Sequence, residues 1–274
     1  MKLIEMQEVL GIPGFNMGKN LSVCALASGS KGNAFFISNG STSILVDAGF
    51  SGIEIEKRLE SKGLNPENLD AILVSHEHTD HIRGVGVLAR RFKIPVYMNR
   101  ETDKASMAQT GNIKNKYYFN CGSSFRINKL SIHPFSISHD AAAPACFTIS
   151  YNDIKVGIAT DMGMVTSMAK EHLKECSLLI LEANHDPEML AKGPYPWHLK
   201  QRIKGRTGHL SNFDAKKLLS EVAHDKLQHV ILAHLSEKNN LPEKAINVVG
   251  EGITQYKINL YPARQDKASD LFVL

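Results

Sequence analysis

The chain has 274 residues, of which 43% are hydrophobic, 22% charged and 7% aromatic. This composition is typical of a folded globular protein and excludes collagen-like, disordered and coiled-coil chains. The apolar runs end after roughly six to eight residues, well short of the ~20 that cross a bilayer, and the amino terminus lacks the features of a signal peptide. The formal net charge of +4 is compatible with a phosphate-bearing partner but does not require one. We therefore expect a cytoplasmic protein with no membrane partner.

Residues 1–20 are predicted to be an N-terminal extension, because Met17 opens a second plausible start directly before the first strong strand. The remaining residues, 21–274, are predicted to form one domain. In chain order, the predicted elements are strands 21–27, 33–38 and 43–47, helix 51–62, strand 71–75, helix 81–92, strands 95–98, 125–137, 145–151, 154–160 and 177–182, helix 212–224, strand 229–233, helix 242–251 and strand 256–261. Ser211 and Pro242 supply the start signals of the last two helices. This order indicates a layered α/β or α+β fold.

The four cysteines lie far apart and form no C-x-x-C pair: Cys24, Cys121, Cys146 and Cys176. This spacing argues against a disulfide scaffold and against a cysteine-based zinc site, and it suits a reducing cytosol. We predict that all four are buried, small apolar side chains.

The sequence HEHTDH, residues 76–81, joins a buried-looking strand to a helix. So many imidazole and carboxylate groups cost free energy to pack together unless something binds them. His76 and His78 share one face of an extended segment, and Asp80 and His81 can point back into the same pocket from the helix start. Zinc takes imidazole nitrogen and carboxylate oxygen as ligands. A solvated polar loop is the alternative, but the density of ligand groups favours a metal site at a strand end.

HEHTDH resembles the signature of the metallo-β-lactamase fold superfamily, and ISHD, ATDMG and ILAHLS resemble the segments that carry its later ligands. The resemblance implies a four-layer αββα sandwich with two divalent metal ions at one edge. It implies a first ion held by His76, His78 and His139 and a second held by Asp80, His81 and His234, with Asp161 bridging both. Zinc is the first expectation for these ligands, with manganese, iron or nickel as alternatives. A metal-bridging hydroxide would be the nucleophile, and Asp80 is expected to take part in catalysis.

Asp161 disfavours β-lactamase activity, because true β-lactamases of this fold usually carry Cys at that position. Further motifs look like the YycJ branch of the superfamily: SGSKGN, SHDA, LEANHD and KGPYPWHLKQRIKGRTGHLSN. Members of that branch are bacterial cytoplasmic proteins associated with nuclease activity, including 5′-to-3′ exonuclease action on DNA. Lys31 is a departure, since Ser is commoner there. The resemblance implies a phosphodiesterase or exonuclease acting on DNA or RNA, with DNA favoured.

Two further histidines are candidate catalytic groups. His209 in GHLSN precedes a capped helix, much as the His of the GHST element does in ribonuclease Z of the same superfamily. The resemblance implies a general acid or a phosphate contact, and a structural role at the helix start is the alternative. His185 in LEANHD lies at a strand end and is the weaker candidate.

Two segments are candidate substrate contacts. In SGSKGN, backbone N–H groups and the side chains of Ser30, Lys31 and Asn33 could bind an anion, although many tight turns are simply rich in Gly and Ser. Arg202, Lys204 and Arg206 lie in an acid-free stretch, 189–213, with Tyr195 and Trp197 between the cations. That pattern is typical of a surface that binds the phosphate backbone of single-stranded nucleic acid, and a solvated surface is the alternative.

The runner-up function is a small-molecule hydrolase, such as a thioesterase of the glyoxalase II kind or a cyclic phosphodiesterase. The metal ligands are common to all these enzymes and cannot discriminate between them. The short segment between Asp161 and His234 has no room for the extra domain of the β-CASP nucleases. We therefore expect loops, or the second subunit of a homodimer, to hold the substrate.

Overall fold

The computed structural model describes residues 20–274 as two seven-stranded sheets with helices on their outer faces. The first sheet contains β1 (Ser22–Ala27), β2 (Ala34–Ser38), β3 (Ser43–Val46), β4 (Ala71–Leu73), β5 (Val96–Met98), β6 (Lys116–Tyr118) and β14 (Phe272–Val273). The second contains β7 (Phe125–Ile127), β8 (Leu130–Ser136), β9 (Ala145–Tyr151), β10 (Ile154–Ala159), β11 (Leu178–Glu182), β12 (His229–Ala233) and β13 (Asn259–Pro262).

The helices fall into two groups along the chain. Those next to the first sheet are α1 (Gly52–Glu60), α2 (Thr79–Ile82), α3 (Val85–Phe92) and α4 (Arg100–Thr110). Those that follow β10 are α5 (Ser167–Leu173), α6 (Pro187–Lys192), α7 (Trp197–Ile203), α8 (Asn212–Val222) and α9 (Pro242–Gly250). In residues 20–274, no helix combines the length and the apolar character that crossing a membrane would require.

The core has three apolar layers, as a four-layer sandwich requires. Between the sheets, Phe35 and Ile37 of β2 pack with Phe147 of β9. The other face of β2 turns Phe36 toward the helical layer that contains Leu59 and Leu88. Strands buried on both faces need continuous apolar runs, which is why the sequence predicted most of them. The predicted αββα architecture is confirmed.

The topology places several carboxyl ends of strands at one edge. Strands β3, β4, β5 and β6 are parallel to one another, and so are β10, β11, β12 and β13. Parallel neighbours require crossover connections, and these supply the outer helices. In open α/β sheets, ligands bind outside the carboxyl ends of the strands. The candidate ligands that follow β4, β10 and β12 therefore meet at one place.

Several predicted elements differ in their bounds. The predicted strand 125–137 is two strands, β7 and β8, because the chain turns at Asn128, which has a φ of 49°. The predicted helix 81–92 is α2 and α3, separated at Gly84, where a Cβ would lie 2.5 Å from Phe50 O. The capping prediction for Ser211 is confirmed, and Asp214 completes a capping box. Residues 1–19 of the predicted extension lie outside the described residues.

Candidate metal centre and active site

Three imidazoles from two sheets form the first ligand group. His76 Nε2 lies 3.1 Å from His78 Nδ1, and His139 Nε2 lies 3.2 Å from the same atom. His76 and His78 follow β4 and share one face of the extended segment, as the sequence predicted. His139 comes from the loop after β8 in the opposite sheet. One ligand atom from each side chain lies within 4.8 Å of the others, so the three could hold one ion.

A second group lies beside the first and shares Asp161 with it. His81 Nε2 is 3.2 Å from Asp161 Oδ2 and 3.6 Å from Asp80 Oδ2. His234 Nε2 is 3.5 Å from Asp80 Oδ2, and His139 Nε2 is 3.8 Å from Asp161 Oδ1. Asp80, His81 and His234 could therefore hold an ion, and Asp161 faces both groups. The structure thus brings together all seven side chains that the sequence analysis assigned to metals.

Three residues of this edge adopt a left-handed backbone. Asp47, Asp161 and His234 follow β3, β10 and β12, with φ values of 62°, 60° and 55°. Non-glycine residues rarely adopt this conformation, and such strain concentrates at functional sites. The left-handed turn ends each strand abruptly and aims the side chain back across the sheet edge. The close packing of the strands that precede these turns holds the three residues in this energetically costly conformation.

The donor set fits divalent cations. Among the described residues, Asp161 Oδ2 and His234 Nε2 are buried and have no hydrogen-bond partner. Burial lowers the pKa of His234, but Asp161, Asp80 and Glu182 raise it to about 10. So much buried negative charge requires a positive partner, which a metal ion supplies while its ligands stay deprotonated.

Asp47 supports the second ligand group, although the sequence analysis did not select it. Its Oδ2 accepts a hydrogen bond from His81 Nδ1 at 2.7 Å, which directs Nε2 toward Asp161. The N–H and hydroxyl of Ser75 donate to the same carboxylate at 2.8 and 2.7 Å. Histidines that bind metals are usually oriented in this way through their other nitrogen. The available signal was an acid directly after a buried strand.

Glu182 is the second functional residue that sequence reasoning missed. At the buried end of β11 its Oε1 accepts hydrogen bonds from His209 Nδ1 at 2.8 Å and from His234 Nδ1 at 3.0 Å. Its Oε2 accepts from the N–H groups of Met162 and Leu210. Burial raises the pKa of Glu182, but the charge of His209 and the hydrogen bonds from His209 and His234 hold it below its usual value. Glu182 therefore orients one candidate ligand and one candidate general acid.

His209 and His185 differ in their surroundings. The His209 side chain is 19% exposed, and its Nδ1 lies 3.7 Å from Asp161 Oδ1, so it borders the metal centre. His185 is buried in a β-bridge with Ser211, and burial lowers its pKa to about 4. Within residues 20–274, His185 Nδ1 has no hydrogen-bond partner, and His185 belongs to none of the candidate ligand groups. The structure brings His209 to the centre and leaves His185 outside it.

The SGSKGN turn requires a correction. Asn33 is fully buried, so it cannot touch substrate. Its Oδ1 accepts from Ser28 Oγ and Gly29 N, and its N–H donates to Asp80 O at 2.8 Å. It is a positioning residue for the Asp80 loop. Ser30 and Lys31 are exposed, and Lys31 Nζ forms an ion pair at 2.5 Å with Glu237, in the loop after His234.

The basic stretch begins in α7 and continues past its end: Arg202 lies in the helix, Lys204 is its C-cap and Arg206 follows it. None of the residues of α7 is buried in the described structure. Arg202 Nε donates to Asp140 Oδ2 at 2.5 Å, and Asp140 Oδ1 lies 3.5 Å from His139 Nε2. Lys204 Nζ lies 5.1 Å from the ring centre of Trp197, whose exposure is 71%. Arg206 is exposed, and its carbonyl accepts from Ser138 Oγ. The structure therefore places Arg202 at the rim of the first ligand group, and it places the backbone of Arg206 next to the segment that carries His139.

Comparisons with known proteins identify the family of this chain. The sequence profile described as "Metallo-beta-lactamase superfamily" matches residues 27–121. "Exodeoxyribonuclease YycJ" of Bacillus anthracis is 41% identical over 231 residues, which are 84% of this chain and 87% of the relative. This chain belongs to the YycJ/WalJ family of the metallo-β-lactamase superfamily. "Exodeoxyribonuclease WalJ" of Streptococcus pneumoniae is 39% identical over 224 residues, covering 80% and 83% of the two chains.

The fold of this YycJ/WalJ family member also matches solved structures. The metallo-β-lactamase fold protein YhfI of Bacillus subtilis superimposes with a TM-score of 0.71, at 17% identity, over 93% of this chain and 99% of that one. An identity this low supports the fold alone. The predicted resemblance to the YycJ branch is confirmed by the two relatives.

Proposed function

We propose that this protein is a metal-dependent phosphodiesterase that acts on DNA as an exonuclease. One observation carries the proposal: two ligand groups, each drawn from both sheets, lie on either side of Asp161, and the His209–Glu182 pair lies beside them. The exodeoxyribonuclease names of both relatives support DNA as the substrate. They also favour this function over the thioesterase alternative.

His76, His78 and His139 would hold one divalent ion and Asp80, His81 and His234 the other, with Asp161 between them. When bound, the ions stabilise phosphoryl charge and lower the pKa of bound water. Zinc fits imidazole and carboxylate ligands, and manganese, iron and nickel are the alternatives that metal analysis would reveal.

The protein's own residues handle the leaving group. As an imidazolium with Nδ1–H donated to Glu182, His209 would give its Nε2 proton to the leaving sugar oxygen and become the neutral imidazole. The Glu182 carboxylate stabilises the imidazolium before transfer and fixes the ring. Lys204 and Arg206 would bind backbone phosphates near the first ligand group.

The location and assembly of the protein are part of the proposal. The four cysteines are unpaired in the structure, and three of them are buried, which suits a reducing cytoplasm. A homodimer would bring a second subunit to the open edge where the ligands lie, and this subunit would help to hold the substrate.

The deciding experiment is a cleavage assay on DNA and RNA, single- and double-stranded, labelled at either end. We expect the metal-loaded protein to release nucleotides from DNA, and the label that disappears first reports the polarity. Chelation and Asp161→Ala should both abolish the release. Protein that carries its full complement of metal but cleaves only thioesters or cyclic phosphodiesters would contradict the proposal.

A further inference from the structure

An exposed aromatic ring lies on the same sheet edge as the metal centre, outside the ligand groups. Tyr118 ends β6, and Arg100 begins α4 directly after β5. The guanidinium carbon of Arg100 lies 4.4 Å from the ring centre of Tyr118, and 41% of Tyr118 is exposed. An aromatic ring and a cation are therefore already stacked at the surface.

The pair is held in place from the helix side. Asp103 of α4 accepts a hydrogen bond from the Tyr118 hydroxyl at 2.7 Å, which fixes the ring. Both carboxylate oxygens of Asp103 also bind Lys116 Nζ at 2.8 Å, so Lys116 neutralises this acid. Across residues 20–274, Arg100 forms no ion pair, and its positive charge stays available.

The strand order sets the distance to the metal centre. His76 follows β4, Arg100 follows β5 and Tyr118 ends β6, and these three strands are parallel neighbours. Adjacent strands lie about 4.8 Å apart, so β6 is roughly 10 Å from β4 along the edge. A single strand of nucleic acid with one phosphate at the metal centre would place a neighbouring nucleotide within reach of Tyr118 and Arg100.

Two hydrogen bonds between side chains and backbone connect the turn before α4 with the loops beside the metal centre. Asn99 Nδ2, in the turn before α4, donates to Ala143 O at 2.7 Å. The N–H of Ala142 donates to Glu77 Oε1 at 2.7 Å, and Glu77 lies between two candidate metal ligands. The turn that carries Arg100 is thus tied to the loop that carries His139.

We propose that Tyr118 and Arg100 form a base-binding platform for a nucleotide of the same single strand whose phosphodiester lies at the metal centre. The inference rests on the proposed function and adds a subsite to it. A base stacks on the ring or on the guanidinium plane, and the guanidinium also attracts the backbone. Because every base has a stacking face, this platform raises affinity without selecting a sequence.

The test compares Tyr118→Leu with a matched control, Tyr117→Leu, in the full-length, metal-loaded protein. Tyr117 lies in the same strand and is 51% exposed, but its ring points to the opposite face and stacks on Tyr97 at 4.9 Å. The substrates are a single-stranded DNA oligonucleotide, the same oligonucleotide with one abasic position moved along it, and bis(p-nitrophenyl) phosphate as a base-free phosphodiester.

We expect Tyr118→Leu to lower the ratio of kcat/KM for DNA to that for the base-free ester by about tenfold, through KM. One abasic position should impair wild-type cleavage similarly and have no additional effect in Tyr118→Leu. Tyr118→Phe, which keeps the ring, should retain most of the DNA preference, and Tyr117→Leu should retain all of it.

Equal losses in both Leu variants, or the same abasic penalty with and without the Tyr118 ring, would overturn the platform while DNA cleavage itself stands. A wild-type protein that cleaves the base-free ester but no nucleic acid would overturn the proposed function and the platform together.

Discussion

Glu182 is the residue that connects the candidate general acid to the metal ligands. Replacing it with Gln keeps its size but removes the charge that orients His209 and His234. Losing a partner that orients a ligand typically costs about 10–100-fold in metal affinity, and we expect a loss of that size. Competition with a chromophoric chelator measures it.

Glu188→Gln is the matched control, because Glu188 lies on the surface of α6 and pairs only with Lys192 among the described residues. Unchanged metal affinity in Glu182→Gln would mean that its bonds to the backbone of Met162 and Leu210 are its main role.

His209 distinguishes phosphodiester cleavage from simpler metal-dependent hydrolysis. A nucleotide alkoxide is a poor leaving group, and general-acid assistance accelerates its departure by about 10²–10⁴-fold. His209→Ala should slow DNA cleavage by about that factor with metal content retained, and should barely slow a nitrophenyl ester. Kinetics on both substrates make the comparison. Equal losses on both would show that His209 binds phosphate or shapes the site instead.

Helix α7 and the residues directly after it give a prediction at the scale of one element. Replacing Arg202, Lys204 and Arg206 together with Ala should weaken single-stranded DNA binding. It should also flatten the salt dependence, by about 0.7 in slope for each lost phosphate contact. Arg202 is bonded to Asp140, so we expect Lys204 and Arg206 to account for most of the slope. Binding isotherms at several salt concentrations measure it.

The control for this helix is Lys155→Ala with Lys174→Ala. These lysines lie at the amino end of β10, opposite the edge that carries Asp161. If the triple variant retains the wild-type salt slope, the surface that binds the DNA backbone lies elsewhere on the protein.

A close approach of two loops gives the second prediction at this scale. A Cβ on Gly49 would lie 1.7 Å from Asp80 O and 2.6 Å from Asn33 N, both backbone atoms. Gly49→Ala must therefore displace the HEHTDH loop, at a cost of about 1–3 kcal/mol or more. We expect a lower melting temperature and reduced metal content.

Gly250→Ala is the control for this substitution, because its Cβ would make ordinary contact at 3.4 Å with Leu260. Wild-type metal content in Gly49→Ala would show that the loop can shift without disturbing its ligands.

At the scale of the whole molecule, the metal centre connects the two sheets. His76, His78, Asp80 and His81 come from the first sheet, whereas His139, Asp161 and His234 come from the second. A ligand that binds only the folded state stabilises it by about 4 kcal/mol at a thousandfold excess over Kd. Chelation should therefore lower Tm, as measured by calorimetry.

In Asp161→Ala, the metal content should fall from two ions to one or fewer, and chelation should shift Tm by less than in the wild type. Asp153→Ala, in the tight turn between β9 and β10, is the control. If chelation does not change the wild-type Tm, the bound metals contribute nothing to the stability of the packed sheets.

The sequence by itself determined what depends on local spacing. Apolar runs predicted most strands, because strands buried on both faces leave no polar positions. HEHTDH predicted a metal site, because its ligands are neighbours in the chain. The family resemblance, now confirmed, pointed to His139, Asp161 and His234, which no local pattern would have joined to HEHTDH. Helices α4, α5, α6 and α7 were not predicted. The buried residues of α4 are all polar and α7 has no buried residue, so neither helix shows an apolar pattern in the sequence.

Only the tertiary structure decided which isolated residues serve the site. Asp47 and Glu182 are single acids at the ends of strands, and their roles exist only where the strand ends of both sheets meet. Asn33 was predicted to contact substrate but is buried beneath Asp80, because the turn folds inward. The pairing of Arg100 with Tyr118 depends on the register of β5 against β6. Each of these contacts joins residues distant in sequence, and the packing of strands and sheets brings them together.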